Sequence, residues 1–443
     1  MENLIYIFGI IFTFMVLVVT HELGHFWAAK LMGVRVEKFS IGFSPSLITK
    51  KWGDTEYSIG LIPLGGFVKM AGVIDESMDD NIKGEPWEFT SKSPLARIFI
   101  LSAGVVMNVI TAILIYWGVY YFDGKEQHTP VVGIVAENTV AEDLGLRSND
   151  LIVAVNGESV SSYEAFIGRY LENFKKGTSI TVFRDSTLTD LIFDANLVAR
   201  HSPQNLGFRL RSSTRITALD TTLSAAAIGM LPGDIITRID TLDLRYYHDI
   251  GSLIADNPGK KMPIVYTRDG QTLRDSIVIA TIEKESEDGT MSQTGRIGVV
   301  FGESEKRKVY FGAGEALGVA FTDAYDYLNQ NMIGFGMVLT GQTPAKEAVG
   351  GMITIAAVTG SIAQQGFLKL LILIAQLSLI LAFFNILPIP VLDGGHISII
   401  LYEVIRGKPL SLSTKLTIQK YGMIFILILI VLVLYVDINR IWG

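Results

Sequence analysis

The sequence predicts a multi-pass α-helical membrane protein with four transmembrane helices, a membrane-associated β-hairpin and two inserted α+β domains. Three observations lead there. Four long apolar runs lie toward the two ends of the chain, a polar stretch separates them, and within that stretch one block of sequence recurs 84 residues later. Composition agrees, since 49% of the 443 residues are hydrophobic and only 18% are charged. That mixture is too apolar for an ordinary soluble protein and too polar for a bare bundle of spans.

The first run, Leu4 to about Ala29, carries no charged residue before Glu22. No basic leader and no small-residue cleavage site precede His21, so it reads as a retained span and not as a signal peptide. The other runs are Ile98 to Phe122, Leu370 to about Leu387, and Tyr421 to Val436, the last short enough to need tilt or flanking residues. No Lys or Arg precedes Lys30; nine lie from Lys30 to Arg97, four from Val391 to Lys420, and one, Arg440, follows the last span. The positive-inside bias therefore puts the two basic loops in the cytosol and both termini and the central region outside.

Between Trp52 and Met70, short extended stretches are broken by Gly60, Pro63, Gly65 and Gly66, which predicts the hairpin. In the central region, Gly145 to Asn156 recurs as Gly229 to Asp240, implying two copies of one small domain. Each copy has a turn, an Asp and an alternating strand, then a helix near Ser162 to Leu171 or Tyr246 to Ala255. This order resembles the PDZ family, although the loops near Thr129 to Ile134 and Ser213 to Ile216 lack the Gly-Leu-Gly-Phe pattern that captures a terminal carboxylate. Further on, Leu317, Phe321, Ala324 and Leu328 recur at helical spacing, as in a helix on the outer membrane surface or one packed in the protein. The expected organisation is residues 1–123 (first two spans and hairpin), 124–210 and 211–307 (PDZ-like domains), 308–369 (amphipathic helical segment) and 370–443 (last two spans).

The chemistry concentrates in His21-Glu22-Leu23-Gly24-His25. Residues four apart share a helix face, so the two imidazoles can grip one zinc ion while Glu22 faces a water held there. Charged groups in a span cost about 2.5 to 3.5 kcal/mol each and are seldom there without a function. Tetrahedral catalytic zinc takes three protein ligands and an open position. With no cysteine in the chain, the third must be nitrogen or oxygen. The third span ends in Asn385-Ile386-Leu387-Pro388-Ile389-Pro390-Val391-Leu392-Asp393-Gly394-Gly395, where the helix must unravel and irregular backbone needs a protein-lined or wet setting. Asp393 is the candidate, its alternative being a cap on the following helix. His396 is set aside, because the open position argues against a fourth protein ligand.

The two motifs together resemble the site-2 protease family of intramembrane zinc metalloproteases, and the four spans with tandem PDZ insertion resemble its bacterial regulator-of-sigma-E protease type. The resemblance also includes Gly42-Phe43 and Ile62 to Met70; it differs at Gly104-Val105-Val106-Met107-Asn108, where many relatives have proline after the glycine. That difference bears on core packing more than on chemistry. The resemblance implies that His21, His25 and Asp393 bind Zn2+, that Glu22 is the general base, and that Asn385 holds the substrate strand or the developing oxyanion. It implies single-span substrates such as an anti-sigma factor, and leftover signal peptides, cut after an upstream site-1 protease has trimmed them, in envelope stress signalling. It places the protein in the bacterial inner membrane, with PDZ domains and termini periplasmic and the active site toward the cytosol. A helical substrate must first unwind, and the hairpin offers a strand edge to receive it, which makes Gly60, Leu61, Ile62, Gly65 and Gly66 candidate substrate contacts.

Other classes fit less well. A net charge of -7 and the lack of a phosphate-binding Gly-Lys-Ser/Thr loop disfavour nucleic-acid binding and nucleotide hydrolysis. No Gly-x-Ser-x-Gly supports a serine mechanism. A membrane receptor has no need of Glu22, and a metal transporter predicts ionisable groups that the cores of the second and fourth spans lack.

Overall fold

The computed structural model describes residues 2–73, 84–174, 178–193, 206–244, 246, 248–285, 291–302, 304–341 and 351–442. The chain forms two compact units, one of Met1–Gly124 with Tyr310–Gly443 and the other of Lys125–Val309.

Among the described residues of the first unit, four helices are long and apolar enough to cross a membrane. The first, Glu2–Leu31, ends where Gly33 adopts a positive φ and Val34 N–H closes back on Ala29 O, a six-to-one bond that satisfies a terminal carbonyl. The second, Pro94–Phe122, starts with proline at its first position and Ser93 Oγ accepting from Ala96 N–H. The third, Phe367–Ile386, stops before Pro388, whose ring opposes helical continuation. The last, Leu412–Trp442, begins earlier than its apolar run at Tyr421 suggests, because Lys415 and Lys420 sit within its opening turns. It is therefore not a short span.

Two further helices pack within this unit. Ala313–Leu339 lays Ala316, Ala320 and Ala324 against Pro94–Phe122, where Trp117 Nε1 donates to Ala313 O and Tyr120 Oη donates to Asp323 Oδ2 at 2.7 Å. Leu317 and Phe321 face outward, so the stripe predicted from the sequence splits between a packed alanine face and an exposed apolar one. Met352–Gln365 meets the first helix at Gly9 and Tyr6 through Ala363 and Gly360. Its N-terminus is capped by the fully buried Asp437 of the last helix, which accepts from Gly351 N–H at 3.0 Å and Thr354 Oγ1 at 2.7 Å. Residues 342–350 of the expected amphipathic segment lie outside the described residues.

The hairpin is larger than predicted. Its arms are Val36–Trp52 and Thr55–Met70, joined at Gly53. The arms fold back on themselves: Phe39, Ser40 and Ile41 pair on one side with Tyr57, Ser58 and Ile59 and on the other with Val68, Phe67 and Gly66. Tyr57, Ser58 and Ile59 also pair with Lys50, Thr49 and Ile48. Four segments thus lie side by side, and Glu56 to Ile59 is interior to the sheet.

In the second unit the repeat seen in sequence is repeated in structure. Leu151–Val155, Glu158–Ser159, Thr178–Arg184 and Thr187–Phe193 form one four-stranded sheet, and Ile235–Ile239, Leu242–Asp243, Lys261–Arg268 and Gln271–Val278 form another with the same strand order. Each copy has its own apolar core, around Phe166, Tyr170 and Phe193 in one and Ile236, Ile250 and Ile264 in the other. The accompanying helices are Tyr163–Asn173 and His248–Ala255; residue 247 of the second expected helix lies outside the described residues.

Candidate metal centre

The first helix carries His21 and His25 one turn apart on the face turned toward Pro94–Phe122. Gly24 lets the two helices approach there, since a methyl group at Gly24 would collide with the Ala103 carbonyl. Gly104 plays the same part from the other side, because a Cβ at that position would strike both imidazoles. Both histidines are nearly removed from solvent.

Asp393 arrives from the third span. After Ile386 the chain runs through Pro388 and Pro390 and turns at Val391, which adopts φ +87°, a region that β-branched residues avoid at a cost of about 1–3 kcal/mol. Gly394 and Gly395 pack against the carbonyls of Ile386 and Ile389 with no room for a side chain. The turn opens a new helix, Asp393–Arg406, whose cap residue is Leu392, so the Asp393 carboxylate does not serve as the helix cap. It points instead at the histidines. Asp393 Oδ2 lies 3.3 Å from His21 Nε2 and 3.4 Å from His25 Nε2, and the two Nε2 atoms are 3.2 Å apart.

These distances describe a nearly equilateral triangle of lone-pair atoms. A tetrahedral ion with bonds of about 2.0–2.1 Å separates its ligand atoms by roughly 3.3 Å, so the spacing suits zinc. Asp393 Oδ2 is buried and, among the described residues, has no hydrogen-bond partner, the condition of an acceptor waiting for a cation. Among the described residues this is the group of His, Asp and Glu side chains whose donor atoms converge closely enough to hold a metal ion. His396 is not in it.

Glu22 follows His21 on the first helix, and the Val68 backbone of the sheet lies near its carboxylate. Asn385 joins the group through its Nδ2, 3.3 Å from His21 Nε2. The hairpin candidates divide. Gly66 lies beside Val18 of the first helix on the outermost segment of the sheet, next to Val68. Gly60 is closed in by the Phe43 and Gly42 backbones, Ile62 pairs with Phe43, and Gly65 lies under the Phe43 ring. Leu61, exposed, follows Gly60 on the same arm. The expected free edge from Tyr57 to Val68 is therefore narrower: Tyr57 to Ile59 is paired on both sides, and among the described residues Gly66 to Met70 pairs only with Val36 to Ile41.

Sequence reasoning missed the partners behind the histidines. His25 Nδ1 donates to Ile100 O at 2.9 Å, and the Asn108 side chain meets His21 Nδ1 at 3.3 Å. Their four-residue spacing through Gly104 was the available signal, but polar partners of a ligand are visible only once two helices are docked.

Comparison with known proteins agrees with this geometry. A family model described as peptidase family M50 matches residues 9–429. The chain is 32% identical over 443 residues to the regulator of sigma-E protease RseP of Escherichia coli K12, covering 96% of each chain. It is 29% identical over 447 residues to a Neisseria meningitidis protein named as a candidate zinc metalloprotease, covering 98% of each. A PDZ domain of an SdrC-like protein from Listeria monocytogenes aligns with 20% of this chain and 87% of its own length, at 19% identity and a TM-score of 0.17. The internal repeat, not that likeness, carries the two-module reading. With a family match spanning almost its whole length and a His-Glu-x-x-His helix at its core, the chain belongs to peptidase family M50 and is a membrane zinc metalloprotease of the site-2 protease family.

Proposed function

We propose that this protein cuts peptide bonds inside transmembrane segments of single-span membrane proteins, with His21, His25 and Asp393 holding Zn2+ and Glu22 moving the proton. The observation that carries the reading is the triangle of Nε2, Nε2 and Oδ2 atoms formed by the first apolar helix and the opening residue of helix Asp393–Arg406. Zinc, when bound, would acidify a water and polarise the scissile carbonyl. Glu22 takes up the proton of the attacking water and delivers it to the departing amine, a role suited to a carboxylate one residue from a ligand. Asn385 stands where its amide can steady the substrate carbonyl as charge develops.

A helical substrate offers its carbonyls to its own backbone, so it must open before attack. The segment Gly66 to Met70 supports a landing place, because among the described residues it pairs with Val36 to Ile41 alone, its Val68 backbone lies near Glu22, and a strand added there would recover the lost backbone bonds. Gly60, Leu61, Ile62 and Gly65 then shape the sheet behind that edge. Residues 124–210 and 211–307 are taken as two PDZ-like modules that exclude substrates with bulky external parts until another protease has trimmed them. Anti-sigma factors and remnant signal peptides are the proposed substrates, and the proposed orientation has the modules and termini periplasmic and the site toward the cytosol.

The test pairs wild type with Glu22→Gln on a tagged single-span substrate, with zinc measured in both. Zinc should stay bound while turnover falls by about 10²–10⁴-fold. Equal turnover removes Glu22 from the chemistry. Deleting residues 131–300 should admit an untrimmed substrate; continued rejection by that variant argues against the size filter.

A further inference from the structure

Residues 100, 104 and 108 fall on one face of helix Pro94–Phe122, and all three meet the histidine pair. Ile100 O accepts from His25 Nδ1, Gly104 clears space for both rings, and Asn108 contacts His21 Nδ1. We infer that Asn108 is a positioning residue whose side-chain oxygen accepts a hydrogen bond from His21 Nδ1–H, fixing the tautomer that leaves Nε2 free to bind metal. The inference rests on the ligand assignment proposed above.

A neutral histidine carries one proton, and a ring that ligates through Nε2 must carry it on Nδ1. His25 meets that need through the Ile100 carbonyl, an obligate acceptor. Among the described residues, the group at His21 Nδ1 is the side chain of Asn108, which is fully buried. The amide is drawn with Nδ2 3.3 Å from His21 Nδ1 and Oδ1 3.4 Å from Thr20 Oγ1. Oxygen and nitrogen exchange places on a half-turn of the amide, and the network decides between them. The Thr20 hydroxyl donates to Val16 O at 2.8 Å, which leaves its oxygen lone pairs able to accept from an Asn108 N–H. Turned that way, Oδ1 accepts from His21 Nδ1–H, Nδ2 donates to Thr20, and every member has a partner. The backbone carbonyl of Asn108 accepts from Ser378 Oγ at 2.9 Å, which ties this point of the helix to the third span. One helix therefore orients both imidazoles, one through backbone and one through a side chain.

The test measures zinc affinity of the purified full-length protein by competition with a chromophoric chelator, for wild type, Asn108→Asp, Asn108→Leu and His21→Ala. Asp keeps an acceptor at the same atom and Leu keeps the volume. The acceptor role predicts Asn108→Asp within about threefold of wild type and Asn108→Leu weakened by about 10–100-fold, the usual effect of losing a partner behind a ligand. Asn108→Ala carries the leucine expectation and replaces it where that variant does not fold. Affinity unchanged by loss of the acceptor, or weakened alike by Asp and Leu, overturns the inference while leaving the ligand assignment standing. Wild type that takes up no zinc, or His21→Ala that holds it as tightly, overturns both.

Discussion

Two buried carboxylates in this molecule face opposite circumstances. In the central unit, Asp234 is almost wholly buried and its oxygens are fully engaged: Arg268 Nε donates to Oδ1 at 2.7 Å, and Arg268 Nη2 and Leu231 N–H both donate to Oδ2 at 2.8 Å. The same Arg268 reaches Gly229 O. Eighty-four residues earlier, Asp150, Arg184, Arg147 N–H and Gly145 O repeat the arrangement atom for atom. In the membrane unit, Asp393 Oδ2 is buried, without a hydrogen bond among the described residues, and aimed at two imidazoles. A buried acid with a complete set of partners locks a turn to a strand; one left incomplete marks where a cation belongs.

The largest break in that comparison should come at Asp393. Asp393→Ala is expected to abolish stoichiometric zinc and bring proteolysis to background, read by metal analysis alongside substrate cleavage, because two imidazoles alone make a poor tetrahedral site. Asp234→Ala should leave zinc affinity untouched and instead destabilise its module by about 1–3 kcal/mol, discounted because the Arg268 side chain is about a third exposed. Hydrogen exchange of amides 261–278 in the intact protein reads that loss. Asp150→Ala should produce a loss of similar size confined to amides 178–193, since the two copies share one geometry.

A smaller effect follows from pH. The Arg268 guanidinium beside Asp234 holds its carboxyl below the usual carboxylate range. A carboxylate with a depressed folded value contributes stability above its unfolded value of about 3.9 and loses it as pH falls through the folded one. Protection of amides 261–278 should therefore be flat above about pH 5 and decline below about pH 4. Asp234→Asn should flatten part of that decline; an unchanged slope would mean that other groups set it.

Much of the architecture was legible before any coordinates. Long uncharged runs give spans because a helix alone satisfies its own backbone in lipid, and an 84-residue recurrence gives two copies of whatever one copy is. The His-Glu-x-x-His spacing places two ligands by helix geometry alone. The hairpin was less accessible: alternation and glycines announce extended chain, but the doubling of its arms into four segments depends on pairing between Phe39 and Val68, which no local pattern encodes.

Sequence by itself thus determined the elements and the local chemistry, since period, capping and motif spacing act over a few residues. Tertiary structure decided which distant groups share one point in space. Bringing Asp393 to His21 and placing Ile100 and Asn108 behind the rings follow from helix docking, where glycines at 24, 104, 394 and 395 permit contacts that side chains would forbid. Those close approaches are pairwise properties of packed surfaces, and a linear pattern carries only one side of each.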